Sequence, residues 1–181
     1  MAFVCRAIVF DGPEDYHTRI EDPTLNVDEN CLLVIRYTGI LGFPGSAEVV
    51  NMQPPTSLLK RGIKSLPTLG DGRQSGTADA PSIVNASPEA AAGGNLAILR
   101  TGDQVRIDLS KGRVDVLLSD QEMLQRRKAL PAHAPDVPDN RTPWQEIYRS
   151  TTGQLDSGGC LELALKYHEL GRLEAIPRDS H

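Results

Sequence analysis

Chemistry-bearing residues concentrate in one stretch, Leu69-Gly70-Asp71-Gly72-Arg73-Gln74-Ser75-Gly76-Thr77, where three glycines, two hydroxyls, one acid and one base occupy nine residues. Glycine lets another group approach the main chain closely, and a glycine-rich loop is costly to order unless it binds something. Two readings of the loop stand side by side. It is a tight turn at a strand end, with the Ser75 hydroxyl bonded to its own backbone, or it presents N–H groups and hydroxyls to a small molecule. The common glycine motifs do not fit. There is no Gly-Lys pair of a phosphate-binding loop, Ser75 stands where a dinucleotide fingerprint needs Gly or Ala, and Arg73 stands where a nucleophile elbow needs Gly. Asp71 and Arg73 are placed to pair and hold the loop, or to touch a ligand.

Other candidates are sparser. Glu48 closes a Gly/Pro loop, where an acid is ordinarily just solvated. Cys5, Cys31 and Cys160 are odd in number and widely spaced, with no Cys-x-x-Cys arrangement, which fits reduced thiols acting as small buried hydrophobes better than a disulfide framework or a cluster site. His17, His133 and His168 are isolated on expected surface helices or a linker, and His181 ends the chain.

The elements that must position these residues follow from patterning. Residues 3–10 form an apolar strand interrupted by Arg6, and Asp11 then caps a short helix with Pro13 in its first turn and Glu14 and Asp15 close behind. Cys31-Leu32-Leu33-Val34-Ile35 is a continuous apolar run, the pattern of a strand covered on both faces. Residues 38–46 are loop. Thr56 caps a helix that Gly62 closes, and residues 65–69 and 82–84 are brief strands flanking the glycine loop. Ser87 caps a helical turn ended by Gly93-Gly94. Residues 96–99, 104–109 and 113–118 are expected strands, the last two forming a hairpin with Val105, Ile107 and Leu109 on one face and Val114, Val116 and Leu118 on another. Ser119 with Glu122, and Thr142 with Gln145, are capping boxes. Three prolines lie within residues 131–140, and a last helix sets Leu161, Ala164, Leu165 and His168 on one stripe. The rhythm is that of a mixed α/β domain with a partly closed sheet. The expected division is 1–130 for the domain, 131–141 for a linker and 142–181 for a helical extension.

Bulk properties narrow the function class. A chain of 181 residues with 39% hydrophobic and 24% charged content is globular, and 13 prolines and 16 glycines imply many loops. A net charge of −5 disfavours nucleic acid as partner. No run approaches the ~20 apolar residues of a membrane helix, and no secretory leader is visible, so a cytoplasmic location is expected.

The loop Gly70-Asp71-Gly72-Arg73-Gln74-Ser75-Gly76 resembles the signature of the dihydroxy-acid and sugar-acid dehydratases, iron–sulfur hydro-lyases. Further segments recur in that family's C-terminal third in the same order. They are Arg36-Tyr37-Thr38-Gly39, Gly42-Phe43-Pro44-Gly45-Ser46-Ala47-Glu48, Pro54-Pro55-Thr56-Ser57-Leu58-Leu59-Lys60-Arg61-Gly62 and Ser87-Pro88-Glu89-Ala90-Ala91-Ala92-Gly93-Gly94. Thr142-Pro143-Trp144-Gln145-Glu146-Ile147-Tyr148-Arg149, Gln154-Leu155-Asp156-Ser157-Gly158-Gly159 and Gln74 are similar to the aldonate branch. Ile40 departs from the family's usual proline.

The resemblance implies a swivelling β/β/α domain, and a reaction that removes water from a sugar acid such as xylonate to give a 2-keto-3-deoxy acid. It implies Ser75 as the catalytic base, Thr77 as a substrate-holding residue and Glu48 as a magnesium ligand. The iron–sulfur cluster, of the 2Fe-2S kind, and the remaining magnesium ligands belong to a larger N-terminal part, so the 181 residues alone are expected to be inactive and free of cofactor. Full-length enzymes of this kind are expected to be homo-oligomers. A stand-alone small subunit acting in trans with a separate large chain is the competing reading.

Overall fold

The computed structural model describes residues 2–48, 51–76, 78–131, 137–165 and 167. Six strands, β1 (Ala2–Asp11), β2 (Cys31–Arg36), β3 (Thr68–Gly70), β4 (Ser82–Ile83), β5 (Gln104–Asp108) and β6 (Arg113–Val116), form one mixed sheet in the order β4-β3-β2-β1-β5-β6. β1 to β4 run parallel, and β5 and β6 are antiparallel to their neighbours. Five helices accompany them: α1 (Gly12–Arg19), α2 (Thr56–Lys60), α3 (Asp120–Lys128), α4 (Pro143–Thr151) and α5 (Glu162–Leu165).

The apolar run of β2 is buried on both faces, as its lack of alternation implies. On one face Ile8, Phe10, Cys31, Leu33 and Ile35 pack against Tyr16 of α1 and Leu58 of α2. On the other, Cys5, Ala7, Val9, Leu32 and Val34 pack against Leu96, Leu99, Val105 and Ile107. Because successive side chains alternate across a strand, Cys5 and Cys31 fall in different cores despite lying on paired strands. The sheet curls into a half-barrel. Leu69 and Ile83 from one end, and Val105, Val114 and Val116 from the other, face a common cavity of about 510 Å³.

Several local expectations are corrected. Residues 96–99 make no strand. Asn95–Ile98 is a 3₁₀ turn, because β5 already pairs with β1 and the Arg36 guanidinium takes the carbonyls of Leu96, Ala97 and Leu99 at 2.9, 2.8 and 3.0 Å. A four-residue apolar run does not distinguish a strand from a buried turn. The strand before the glycine loop is only Thr68–Gly70. Asp11 precedes α1 without capping it, its carboxylate being held by Arg36. Thr56 sits inside α2 and bonds Glu21, leaving Pro55 at the cap. Ser87 caps nothing, since the turn begins at Glu89. Leu109 is 61% exposed, so the apolar face of the hairpin ends at Ile107. The cap of α4 is as expected, with Thr142 and Gln145 bonded reciprocally. Ser119 accepts the Glu122 N–H at the start of α3, but the Glu122 carboxylate is taken by Arg126, so the expected box there is only half formed.

Candidate functional site at the carboxyl ends of the parallel strands

Three motif segments scattered over some fifty residues share one end of the sheet because of its topology. β2, β3 and β4 are parallel neighbours, so the loops that leave their carboxyl ends emerge side by side. The loop after β2 carries Glu48, the loop after β3 carries Ser75, and the segment after β4 carries Glu89. Open parallel sheets bind ligands at such ends, where loops converge and no strand covers them.

Asp71 fastens the first two loops. It is fully buried, and its carboxylate accepts four hydrogen bonds, from Thr38 N–H and Thr38 Oγ1 on Oδ1 (2.9 and 3.0 Å) and from Tyr37 and Ala90 N–H on Oδ2 (3.0 and 2.9 Å). A carboxylate is acceptor-only when ionised and suits four converging donors. This holds Tyr37 at a φ of +64°, a left-handed conformation a bulky residue adopts only when its surroundings fix it. Arg73 is not the partner of Asp71. Its Nε donates to the Ser46 carbonyl at 2.7 Å instead. Gly72 is required for this closeness, since a Cβ there would stand 2.5 Å from the Thr38 carbonyl oxygen.

Glu89, 2% exposed, is the second buried carboxylate. It accepts Leu41 N–H at 2.8 Å and Gly42 N–H at 3.0 Å, and Gly39 must lack a Cβ because one would lie 2.5 Å from Glu89 Oε2. Patterning assigns Asp71 to holding the loop or touching a ligand, but with Arg73 as its partner, and leaves Glu89 unassigned in an alanine-rich run. The available signal was an acid inside an otherwise apolar or glycine-bound segment, which must be paired or hydrogen-bonded if it is buried.

The two loops meet at the candidate residues. Glu48 and Arg73 form an isolated parallel backbone bridge, which sets Glu48 beside the strand of loop that continues through Gln74 to Ser75. Glu48 is exposed and Ser75 half-buried, with the Ala78 N–H donating to the Ser75 carbonyl at 3.0 Å. Flanking them, Ser46 Oγ and Gln74 Oε1 are buried polar atoms without a hydrogen-bond partner among the described residues. Such atoms cost free energy in isolation, and Gln74 Nε2 donates to Thr68 Oγ1 at 3.3 Å, which turns its amide toward β3. Thr77 lies outside the described residues, as do His133, His168 and His181.

The donor set differs for the two implied cofactors. Among the described residues, no three metal-capable side chains come together. Cys5 and Cys31 are buried in opposite cores, burial pushes both thiols above their ordinary pKa, and Cys160 is exposed in the tail, contrary to the expectation of three buried thiols. These cysteines do not fit an iron–sulfur site. Glu48, exposed and outside every ion pair of the described residues, fits as a single oxygen ligand of a hard cation whose other ligands lie elsewhere.

Comparison with known proteins agrees with the motif order. A family profile described as "Dihydroxy-acid/6-phosphogluconate dehydratase C-terminal" matches residues 1–159. The D-xylonate dehydratase of Caulobacter vibrioides is 61% identical over 180 residues, which cover 99% of this chain and 29% of that protein. An L-arabonate dehydratase of Azospirillum brasilense is 35% identical over 90% of this chain and 26% of its own length. A dihydroxy-acid dehydratase of Archaeoglobus fulgidus is 37% identical over 70% of this chain and 22% of its own. The 181 residues thus span less than a third of these relatives.

Proposed function

The chain belongs to the dihydroxy-acid/6-phosphogluconate dehydratase family, of which it carries the C-terminal domain, and from that premise we propose that it contributes half of a hydro-lyase active site. The substrate is an aldonate such as xylonate, and the product is the 2-keto-3-deoxy acid. A proton leaves C2, hydroxide leaves C3, and the resulting enol becomes the ketone, so that one water is lost overall. The observation that carries this reading is the backbone bridge between Glu48 and Arg73, which brings the loop of a candidate metal ligand against the loop of a candidate base.

In this reading Ser75 takes the C2 proton, with its loop's backbone N–H groups steadying the charge, and Thr77 holds substrate. Glu48 supplies one ligand to magnesium. A magnesium ion and a 2Fe-2S cluster, held mainly by the N-terminal part of the longer polypeptide, would supply the Lewis acidity that helps the C3 hydroxyl to depart.

The half-barrel then corresponds to a swivelling β/β/α domain over residues 1–130, followed by a linker at 131–141 and an extension at 142–181 whose described helices are α4 and α5. The side chains of Trp144, 77% exposed, and Ile147, 50% exposed, form an apolar pair one helical turn apart on α4, a face suited to packing against the rest of the enzyme or a second copy. No helix of the described residues is long and apolar enough to cross a membrane, and a cytoplasmic homo-oligomer is the assembly we infer.

The test is a magnesium titration of the full-length enzyme with Glu48→Gln. Loss of one charged oxygen ligand raises the half-activating magnesium concentration about tenfold or more. An unaltered titration removes Glu48 from the metal.

A further inference from the structure

We propose that Arg149 and Gln154, in the C-terminal segment, are positioning residues that clamp the arm bearing Glu48 against the Ser75 loop. The clamp deepens the proposed function and rests on it for its catalytic consequence, but its geometry stands alone. Both backbone groups of Leu41 are held by side chains far along the chain: its N–H donates to Glu89 at 2.8 Å, and its carbonyl accepts from Arg149 Nε at 2.8 Å. The Gly42 N–H donates to Glu89 at 3.0 Å, and a second Arg149 nitrogen lies 3.5 Å from the Gly42 carbonyl.

Gln154 closes the ring. Its amide Nε2 donates to Glu89 Oε1 at 2.9 Å, and its Oε1 accepts the Glu89 N–H at 2.8 Å, so one side chain fixes both the backbone and the carboxylate of Glu89. Arg149 is itself steadied by Asn140 at 2.6 Å. Gly159 rests on Ile40, with a Cβ at that position lying 3.3 Å from Ile40 Cδ1. From the clamped bend, Phe43 N–H bonds the Gly39 carbonyl and Ser46 N–H bonds the Phe43 carbonyl, and Arg73 takes the Ser46 carbonyl. The arm that ends in Glu48 is therefore gripped at its base by the C-terminal segment and at its tip by the glycine loop. Asp71 and Glu89 hold residues 37–42 from within the domain, and Arg149 and Gln154 tighten that grip, so that fewer positions stay open to Glu48.

Hydrogen exchange followed by mass spectrometry on the 181-residue chain tests the clamp directly. Arg149→Met and Gln154→Ala each speed exchange of amides within residues 39–48 about tenfold, the factor expected from one lost hydrogen bond, while β1 and β2 keep their protection. Arg149→Lys, which retains a donor, recovers part of the protection. Unchanged exchange at residues 39–48, or equal acceleration throughout β1 and β2, overturns the proposal. In the full-length enzyme the same substitutions raise the half-activating magnesium concentration and leave kcat at saturating metal near its original value. Faster exchange with an unmoved magnesium titration keeps the clamp and sinks the assignment of Glu48 as a ligand.

Discussion

Replacing Asp71 by asparagine changes one oxygen to an amide nitrogen at nearly constant volume, and the geometry fixes what that costs. With the amide nitrogen on the Tyr37 and Ala90 side, two buried N–H groups face another donor. With the nitrogen on the Thr38 side, it can donate to Thr38 Oγ1 and strands only the Thr38 N–H. The second orientation wins. One stranded buried N–H costs about 2 kcal/mol, and turning two charge-assisted bonds into neutral ones costs about 1 kcal/mol each. Burying a neutral amide instead of a carboxylate, which no cation pairs among the described residues, returns part of this. The net expectation for Asp71→Asn is about 3 kcal/mol of lost stability, a large share of the ~5–15 kcal/mol of a typical domain. Urea unfolding of the 181-residue chain measures it, with Asp71→Ala, which strands all four donors, falling further. A loss below about 1 kcal/mol for the asparagine variant would refute the claim that Asp71 fastens the two loops.

Two further predictions concern the frame around the site. Arg126 of α3 grips Asp103 with two nitrogens, at 2.6 and 2.9 Å, and Glu122 at 2.7 Å, with its side chain only 10% exposed; Arg126→Met therefore lowers stability by about 3 kcal/mol in a thermal or urea melt, and an unshifted melt contradicts that. Thiol titration of the native chain labels Cys160 quickly and Cys5 and Cys31 only on unfolding, because burial both blocks them and disfavours their thiolates. Fast reaction of three thiols in the native state would place the two cores wrongly.

Much of the frame was legible in the sequence. The unbroken apolar run at Cys31-Leu32-Leu33-Val34-Ile35 identified a doubly covered strand, because such a run reports burial directly. Alternation identified the hairpin but not its faces: Val105 pairs with Val116 and Ile107 with Val114, so all four share one face, with Val114 still 37% exposed. Residues 96–99 misled because the partner that satisfies their carbonyls, Arg36, lies some sixty positions earlier. The site was legible as motifs but not as geometry. Ser75 stood out by type and setting and Glu48 only through the family resemblance of its loop, whereas the carboxylates that hold these loops, Asp71 and Glu89, could be recognised only once parallel β2, β3 and β4 had brought their donors together. Arg149 and Gln154 were hidden for the same reason: the groups they hold on Leu41 and Glu89 lie some sixty-five and more positions earlier, and several are backbone groups, which leave no mark in a sequence.

The central claim is that Ser75 handles the C2 proton at a site this chain completes only together with the longer polypeptide. It is tested most directly by following exchange of the C2 hydrogen of xylonate into deuterated water on the full-length enzyme. The account predicts that Ser75→Ala abolishes that exchange while the visible spectrum of the cluster and the fold of the domain stay as they are. Exchange retained at the original rate in Ser75→Ala would contradict it.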